Sequence, residues 1–204
     1  YMPGQFIFVK PLSPSLAAEE HPFTLTSSPS HGKTLQITVR RAGDWTDRIS
    51  RLEPGDDLLI DGPYGLFTHL LLPEKNPIVM IAGGIGITPM LSMLRFMADR
   101  GEQRRILLIW SNRTEEYTVF QKEFDEFQES LGGLRMVYVF TREQRQDGLN
   151  RRLDRATLEK ILDGWSRRSG VFVCGPPALL KTIEPSVKKI GFNPSRIFTE
   201  RFQV

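Results

Sequence analysis

The chain has 204 residues with 27 Lys and Arg against 24 Asp and Glu, a formal net charge of +3, which suits one large domain or two small ones. At 40% apolar and 25% charged residues it can bury a core and is not disordered. A lone Cys174 excludes an intrachain disulfide framework and any cysteine-built zinc or iron–sulfur site, and the positives do not gather around a reading element for nucleic acid.

The first third reads as β structure. Short apolar runs at Phe6–Val9, Phe23–Thr26, Leu35–Arg40 and Asp57–Ile60 are separated by clusters of Pro, Gly, Ser and Asp. Leu35, Ile37 and Val39 alternate with Gln36, Thr38 and Arg40, the pattern of a strand with one wet face. These elements predict a small antiparallel barrel. Its first strand follows the Pro3-Gly4 turn with no partner before it, so the barrel is expected to lack N-terminal strands and the chain to be cut from a longer protein. A composition shift across Leu72–Pro77 predicts a domain joint, dividing the chain into 1–73 and 74–204.

After Pro77 the pattern becomes alternating strands and helices. Ile78–Ala82, Ile106–Ser111, Met136–Thr141 and Val171–Cys174 are near-continuous apolar runs, as strands covered on both faces require. Helical stretches at Thr88–Arg100, Val119–Leu131, Arg155–Leu162 and Pro177–Ile190 intervene, and Ile197–Phe202 closes the set. The fold class expected is α+β overall: a truncated antiparallel barrel, then a doubly wound α/β sheet of Rossmann type. The longest apolar runs are of strand length and cannot cross a bilayer, so the module is expected to be soluble.

The sharpest motif is Ile81-Ala82-Gly83-Gly84-Ile85-Gly86-Ile87-Thr88-Pro89. A buried strand ends in glycines that let a phosphate approach the backbone, and Thr88 is expected to cap a helix opening at Pro89. The spacing matches the dinucleotide fingerprint only in part, and a ligand-free glycine turn is the alternative. A second group comprises His21-Pro22-Phe23-Thr24 and Gly43-Asp44-Trp45-Thr46. Taken alone, a residue such as His21 is more often on the surface than a ligand, Phe23 is more often core than a stacking platform, and Trp45 reads as ordinary packing.

These segments, with Asp61-Gly62-Pro63-Tyr64-Gly65, Cys174-Gly175-Pro176-Pro177 and Glu200-Arg201-Phe202, stand in the order that resembles the ferredoxin–NADP reductase superfamily. The His-Pro-Phe-Thr and Gly-Asp-Trp-Thr stretches are similar to its NADPH oxidase and ferric reductase branch. The resemblance implies an FAD-binding barrel and an NAD(P)-binding domain, with hydride passing from NADPH or NADH to FAD. It implies Phe23 beside the isoalloxazine ring, Thr24 near its N5, and His21, Arg40, Trp45 and Thr46 at the FAD phosphates. For the nicotinamide nucleotide it implies Gly83, Gly84, Gly86, Thr88 and Pro89 at the pyrophosphate, with Gly175 and Pro176 also at the cofactor. Cys174 is placed near the nicotinamide C4, Glu200 at the flavin edge, and Phe202 over the ring.

Arg113 follows the second parallel strand, where NAD-specific proteins of this architecture commonly carry an acid, and a guanidinium there suits a 2′-phosphate. Arg142 after the third strand is expected to assist, although Glu115 and Glu116 lie close by. The implied acceptor is the haem of an upstream membrane domain, which puts the module at the cytoplasmic face of a membrane, or else a separate electron-acceptor protein. The alternatives are a soluble flavin or iron–sulfur protein reductase, or a nucleotide-binding fragment without turnover. No metal site and no nucleic-acid partner are expected.

Overall fold

The structure, a computed structural model, describes residues 1–13, 16–32, 34–143 and 149–202. The parallel half forms as its sequence pattern demands. Strands β4 (Ile78–Gly83), β5 (Ile106–Asn112), β6 (Leu134–Phe140), β7 (Gly170–Gly175) and β8 (Ile197–Arg201) pair in the order β6-β5-β4-β7-β8, all parallel. Because side chains alternate across a strand, Ile78, Met80 and Ala82 enter one core while Val79 and Ile81 enter the other. Helices α2 (Thr88–Asp99) and α3 (Gln121–Ser130) cover the first face, through residues such as Met90, Leu94 and Phe124. The second is covered by α4 (Arg155–Ile161) and α5 (Pro177–Ile190), through Leu158, Leu180, Ile183 and Val187. The sheet is therefore doubly wound.

Chain direction along the sheet reverses at β4. Its successor β5 lies on one side, and β7, reached by way of α4, lies on the other. Beyond the C-terminal ends of β4 and β7 a crevice must open, the usual ligand position in such sheets.

The first part of the chain gives a three-stranded antiparallel sheet in the order β2-β1-β3, built from β1 (Phe6–Pro11), β2 (His21–Thr24) and β3 (Leu58–Tyr64). Ile7, Val9 and Leu25 form its small core. The strand expected over Leu35–Arg40 does not form; a single bridge, Leu25 to Ile37, stands there. Ser27 Oγ accepts the Gln36 N–H at 3.1 Å, a side-chain bond that takes the place of a ladder bond. The Gly-Asp-Trp-Thr stretch forms a short helix, α1 (Asp44–Arg48), too brief to betray a 3.6-residue period. Helix α3 opens two residues later than its apolar pattern suggests, because Phe120 stands before it in the left-handed region at φ 62°.

Helix α2 seats the antiparallel part on the parallel part. Ser92 Oγ donates to the Ser27 carbonyl at 2.8 Å and Arg95 Nη1 to the Thr26 carbonyl at 2.7 Å. The rest of the Arg95 guanidinium grips both oxygens of Glu123 at 2.6 and 2.9 Å. Gly4, at φ 94°, lies so close to the Phe67 carbonyl that a Cβ would stand 2.1 Å from it.

Candidate functional site

At the carboxyl edge of the parallel sheet the register aligns Tyr138, Trp110, Ala82, Cys174 and Glu200 in one row across all five strands. In-register neighbours of a parallel sheet face the same side, so Cys174 and Glu200 are brought side by side by strand pairing alone. Burial pushes the Cys174 thiol well up from its ordinary value, and the Glu200 carboxylate adds to the effect. A thiol so held stays protonated and is no nucleophile. Burial likewise pushes the Glu200 carboxyl up to about 7, and its Oε2 is buried without a hydrogen-bond partner. A carboxyl poised there can hold or release a proton near neutral pH.

Glycines allow the backbones above this row to close on one another. A Cβ on Gly86 would stand 2.4 Å from the Cys174 carbonyl oxygen, and one on Gly175 would stand 3.1 Å from the Gly83 Cα. The chain leaves β4 through a 3-10 turn, Gly84–Ile87, and runs directly into α2. Thr88 does not cap the helix as its sequence position suggests. It already lies inside α2, and its hydroxyl donates back to the Ile85 carbonyl at 3.0 Å, because the 3-10 turn has taken over the helix start.

Over this turn opens a cavity of about 860 Å3. Among the residues singled out in the sequence, Arg40, Gly83, Gly84, Arg113, Gly175, Pro176 and Phe202 line it. Gly86, Thr88 and Pro89 are buried behind it. Arg40 belongs to the antiparallel part, yet its Nη1 stands 3.5 Å from where a Gly84 Cβ would be. Arg113 and Arg142 are joined through the backbone, the Arg142 N–H donating to the Arg113 carbonyl at 2.9 Å, and both side chains are exposed. Glu116, noted in the sequence beside Arg113, lines the cavity too, as do Trp110 and Tyr117, which the sequence reading passes over. Trp110 looks like any core residue of a buried strand, so nothing in its spacing could have marked it.

His21, Phe23, Trp45 and Thr46 form a separate group. Trp45 is buried, stacks on Phe23 with centroids 5.8 Å apart, and meets His21 at 4.2 Å. Thr46 Oγ1 accepts the Ala42 N–H at 2.8 Å and donates to the Gly43 carbonyl at 2.9 Å. Phe23 pairs with Ile7 and faces the small core, whereas Thr24 pairs with Phe6 and faces the other way. The Thr24 hydroxyl is buried with no partner.

Thr24 and Glu200, two of several residues with a buried unpaired polar atom among those described, lie along one line of residues. Thr24 is level with Phe6; the Phe6 ring stands 3.3 Å from a Cβ position on Gly65; and that position is 3.9 Å from Glu200 Oε1. The two halves of the molecule thus meet through Thr24, Phe6, Gly65, Glu200 and Cys174. A buried polar atom left unpaired costs about 1–3 kcal/mol, which makes these oxygens natural points for a polar ligand. Among the described residues no cluster of His, Cys, Asp and Glu could hold a metal ion, and no helix is long and apolar enough to cross a membrane.

Residues 80–184 match the family described as an oxidoreductase NAD-binding domain, and residues 1–68 match an FAD-binding domain family. The chain is 29% identical to the glycine betaine monooxygenase reductase subunit of Chromohalobacter salexigens, over 99% of its own length and 56% of the relative's. It is 32% identical to NADH-cytochrome b5 reductase 1 of Dictyostelium discoideum, over 81% of its length and 58% of the relative's. The crystal structure of the Amycolatopsis cytochrome P450 reductase GcoB superposes with a TM-score of 0.86 at 26% identity, over 99% of this chain and 61% of that one. The chain therefore spans a little over half the length of these curated relatives.

Proposed function

The chain belongs to the oxidoreductase NAD-binding domain family, and its residues 1–68 match an FAD-binding domain family; from that premise we propose that it is an NAD(P)H-dependent flavoprotein oxidoreductase module of the ferredoxin–NADP reductase-like superfamily, whose residues divide the work between two cofactors. Residues 1–73 hold FAD and 74–204 hold the nicotinamide nucleotide. The observation that carries the reading is the line from Thr24 through Glu200 to Cys174, which joins the first sheet to the cavity edge and bears two buried, unsatisfied oxygens.

FAD, when bound, supplies the redox chemistry, taking up two electrons with the hydride and handing them to an acceptor. The protein's share is alignment and charge. Thr24 offers its orphaned hydroxyl to the flavin edge, and Phe23, His21, Trp45 and Thr46 build the wall beside it. Cys174 supplies small, protonated bulk at the nicotinamide, and Glu200 holds a proton at the flavin edge. Phe202 shields the ring from water. The Gly83 to Gly86 turn, with Thr88 and Pro89 behind it and Gly175 and Pro176 opposite, receives the pyrophosphate. Arg40, read from the sequence as an FAD phosphate contact, also lies against Gly84 and lines the same cavity, so it is within reach of the nicotinamide nucleotide's pyrophosphate as well. Arg113 and Arg142 favour a 2′-phosphate, hence NADPH, while Glu116 in the same cavity keeps NADH in play.

The electron acceptor we propose is a separate electron-acceptor protein, which the reductase names of the relatives support. A membrane-borne haem, with the module at the cytoplasmic face, is the second reading; it rests on the His21 and Trp45 motifs, whose rings meet in the structure. Anaerobic titration of the flavin-loaded protein tests the main assignment. NADPH should bleach the visible flavin band faster than NADH, and Arg113→Ala should raise the KM for NADPH about tenfold to a hundredfold with little change for NADH. A flavin band that neither nucleotide bleaches would end this reading.

A further inference from the structure

Trp110 is almost wholly buried, 1% exposed, yet it borders the nucleotide cavity, and its indole Nε1–H donates to the Gly84 carbonyl at 3.0 Å. Gly84 is the first residue of the 3-10 turn and sits at φ +54°, a conformation open to glycine at no cost. The 3-10 turn's own i→i+3 bonding sets the Gly84 carbonyl against the Ile87 N–H, a bond of poorer geometry that a second donor on the same oxygen reinforces against rotation of the Gly84–Ile85 peptide; such rotation would re-aim the Ile85 N–H. N–H groups in the first turn of a helix have no acceptor within it and are the natural donors to an anion. Fixing the carbonyl on one side of a peptide fixes the N–H on the other.

We propose that Trp110 is a positioning residue for nicotinamide nucleotide binding: its indole N–H pins the Gly84 carbonyl and so holds the glycine turn with its backbone donors facing the pyrophosphate. This inference rests on the assignment of the cavity to that nucleotide. Trp110 is well suited to the task because its own orientation is over-determined. Its ring packs on Phe124 at 5.4 Å and on Tyr138 at 6.3 Å between centroids, and both neighbours belong to the same core face. The adjacent residue in the row is Ala82, and its small side chain leaves the indole room to reach over β4 to the turn. The residue thus couples strand β5 to the turn that follows β4, and acts on the ligand only through Gly84.

Trp110→Phe keeps the ring packing and deletes the donor. Loss of one hydrogen bond to a half-buried carbonyl should raise the Kd for NADP+ and for inorganic pyrophosphate about three- to tenfold. Affinity for 2′-AMP, which has no pyrophosphate, and FAD content per chain should stay unchanged. Equal losses for NADP+ and 2′-AMP would mean that Trp110 shapes the whole domain, and unchanged NADP+ affinity would mean that the pin does nothing; either overturns the proposal. If the variant does not fold, the wild-type Trp110 indole N–H resonance is followed instead. It should move on adding pyrophosphate but not on adding 2′-AMP, and an indole signal indifferent to pyrophosphate overturns the proposal. A wild type that binds neither NADP+ nor pyrophosphate defeats the nucleotide assignment and the pin together, a result distinct from binding that survives Trp110→Phe intact.

Discussion

The two sheets of this protein differ in what covers them. Every residue of β4 and of β7 is buried, and two independent cores flank the parallel sheet. Every residue of β3 is exposed, although Leu58, Leu59 and Ile60 are as apolar as anything in β4. Ile60 pairs with Val9, which is buried, so it faces the same side as the small core and still stands 49% exposed. The parallel sheet closes on its own helices and can carry the molecule's stability. The antiparallel sheet leans on α2 and on whatever covers β3, and an open apolar edge of this kind invites pairing with another strand.

The contrast can be broken most directly by core truncation. Leu108→Ala removes fully buried bulk from the centre of the parallel sheet and should lower stability by about 2–5 kcal/mol in urea unfolding. A loss below about 1 kcal/mol would mean that the parallel half is not the stable half.

Next in size is an acid sensitivity at the seam between the two halves. His69 is buried, lies 5.8 Å from the Phe96 ring of α2, and has an Nδ1 without a partner. Burial first, with Arg104 and Arg100 adding and Glu102 opposing, lowers its pKa to about 4. The fold therefore favours the neutral ring. Stability from this preference is fully present above about pH 6.5 and drains away as pH falls from there to about 4, on the order of 3 kcal/mol in all. Urea midpoints at pH 7 and pH 4.5 measure it, and His69→Gln should flatten the difference. A slope that survives in His69→Gln belongs to other groups.

Glu200 runs the opposite way. Its carboxyl sits at about 7 in the fold, above the ordinary value, so its contribution is present at low pH and is lost as pH rises through 7. Glu200→Gln should raise the melting temperature at pH 8 and leave it unchanged at pH 4.5. Equal Tm values at pH 8 would show that the carboxylate is solvated there.

The smallest effect sharpens the comparison from the other side. Leu59→Ser on β3 should change stability by less than about 0.5 kcal/mol while reducing self-association in light scattering. A large loss would place Leu59 in a core that these residues do not display.

The near-continuous apolar runs marked β4, β5 and β7 as strands covered on both faces, because a strand buried on both sides must be apolar throughout. The glycines after β4 were also legible, since close backbone approach needs a residue without a Cβ, as Gly86 beneath the Cys174 carbonyl demonstrates. Composition could not tell the apolar run of β3 from a buried strand. Burial depends on what lies opposite, and no local pattern records that. Nor could spacing reveal that Arg40 crosses to Gly84, that Trp110 bonds the same glycine, or that Thr24 and Glu200 are left with unpaired oxygens on one line. Those relations join residues that are 44, 26 and 176 positions apart in the sequence. Sequence determined that β4, β5 and β7 are covered on both faces, while the pairing of distant strands and the docking of α2 decided what each face meets.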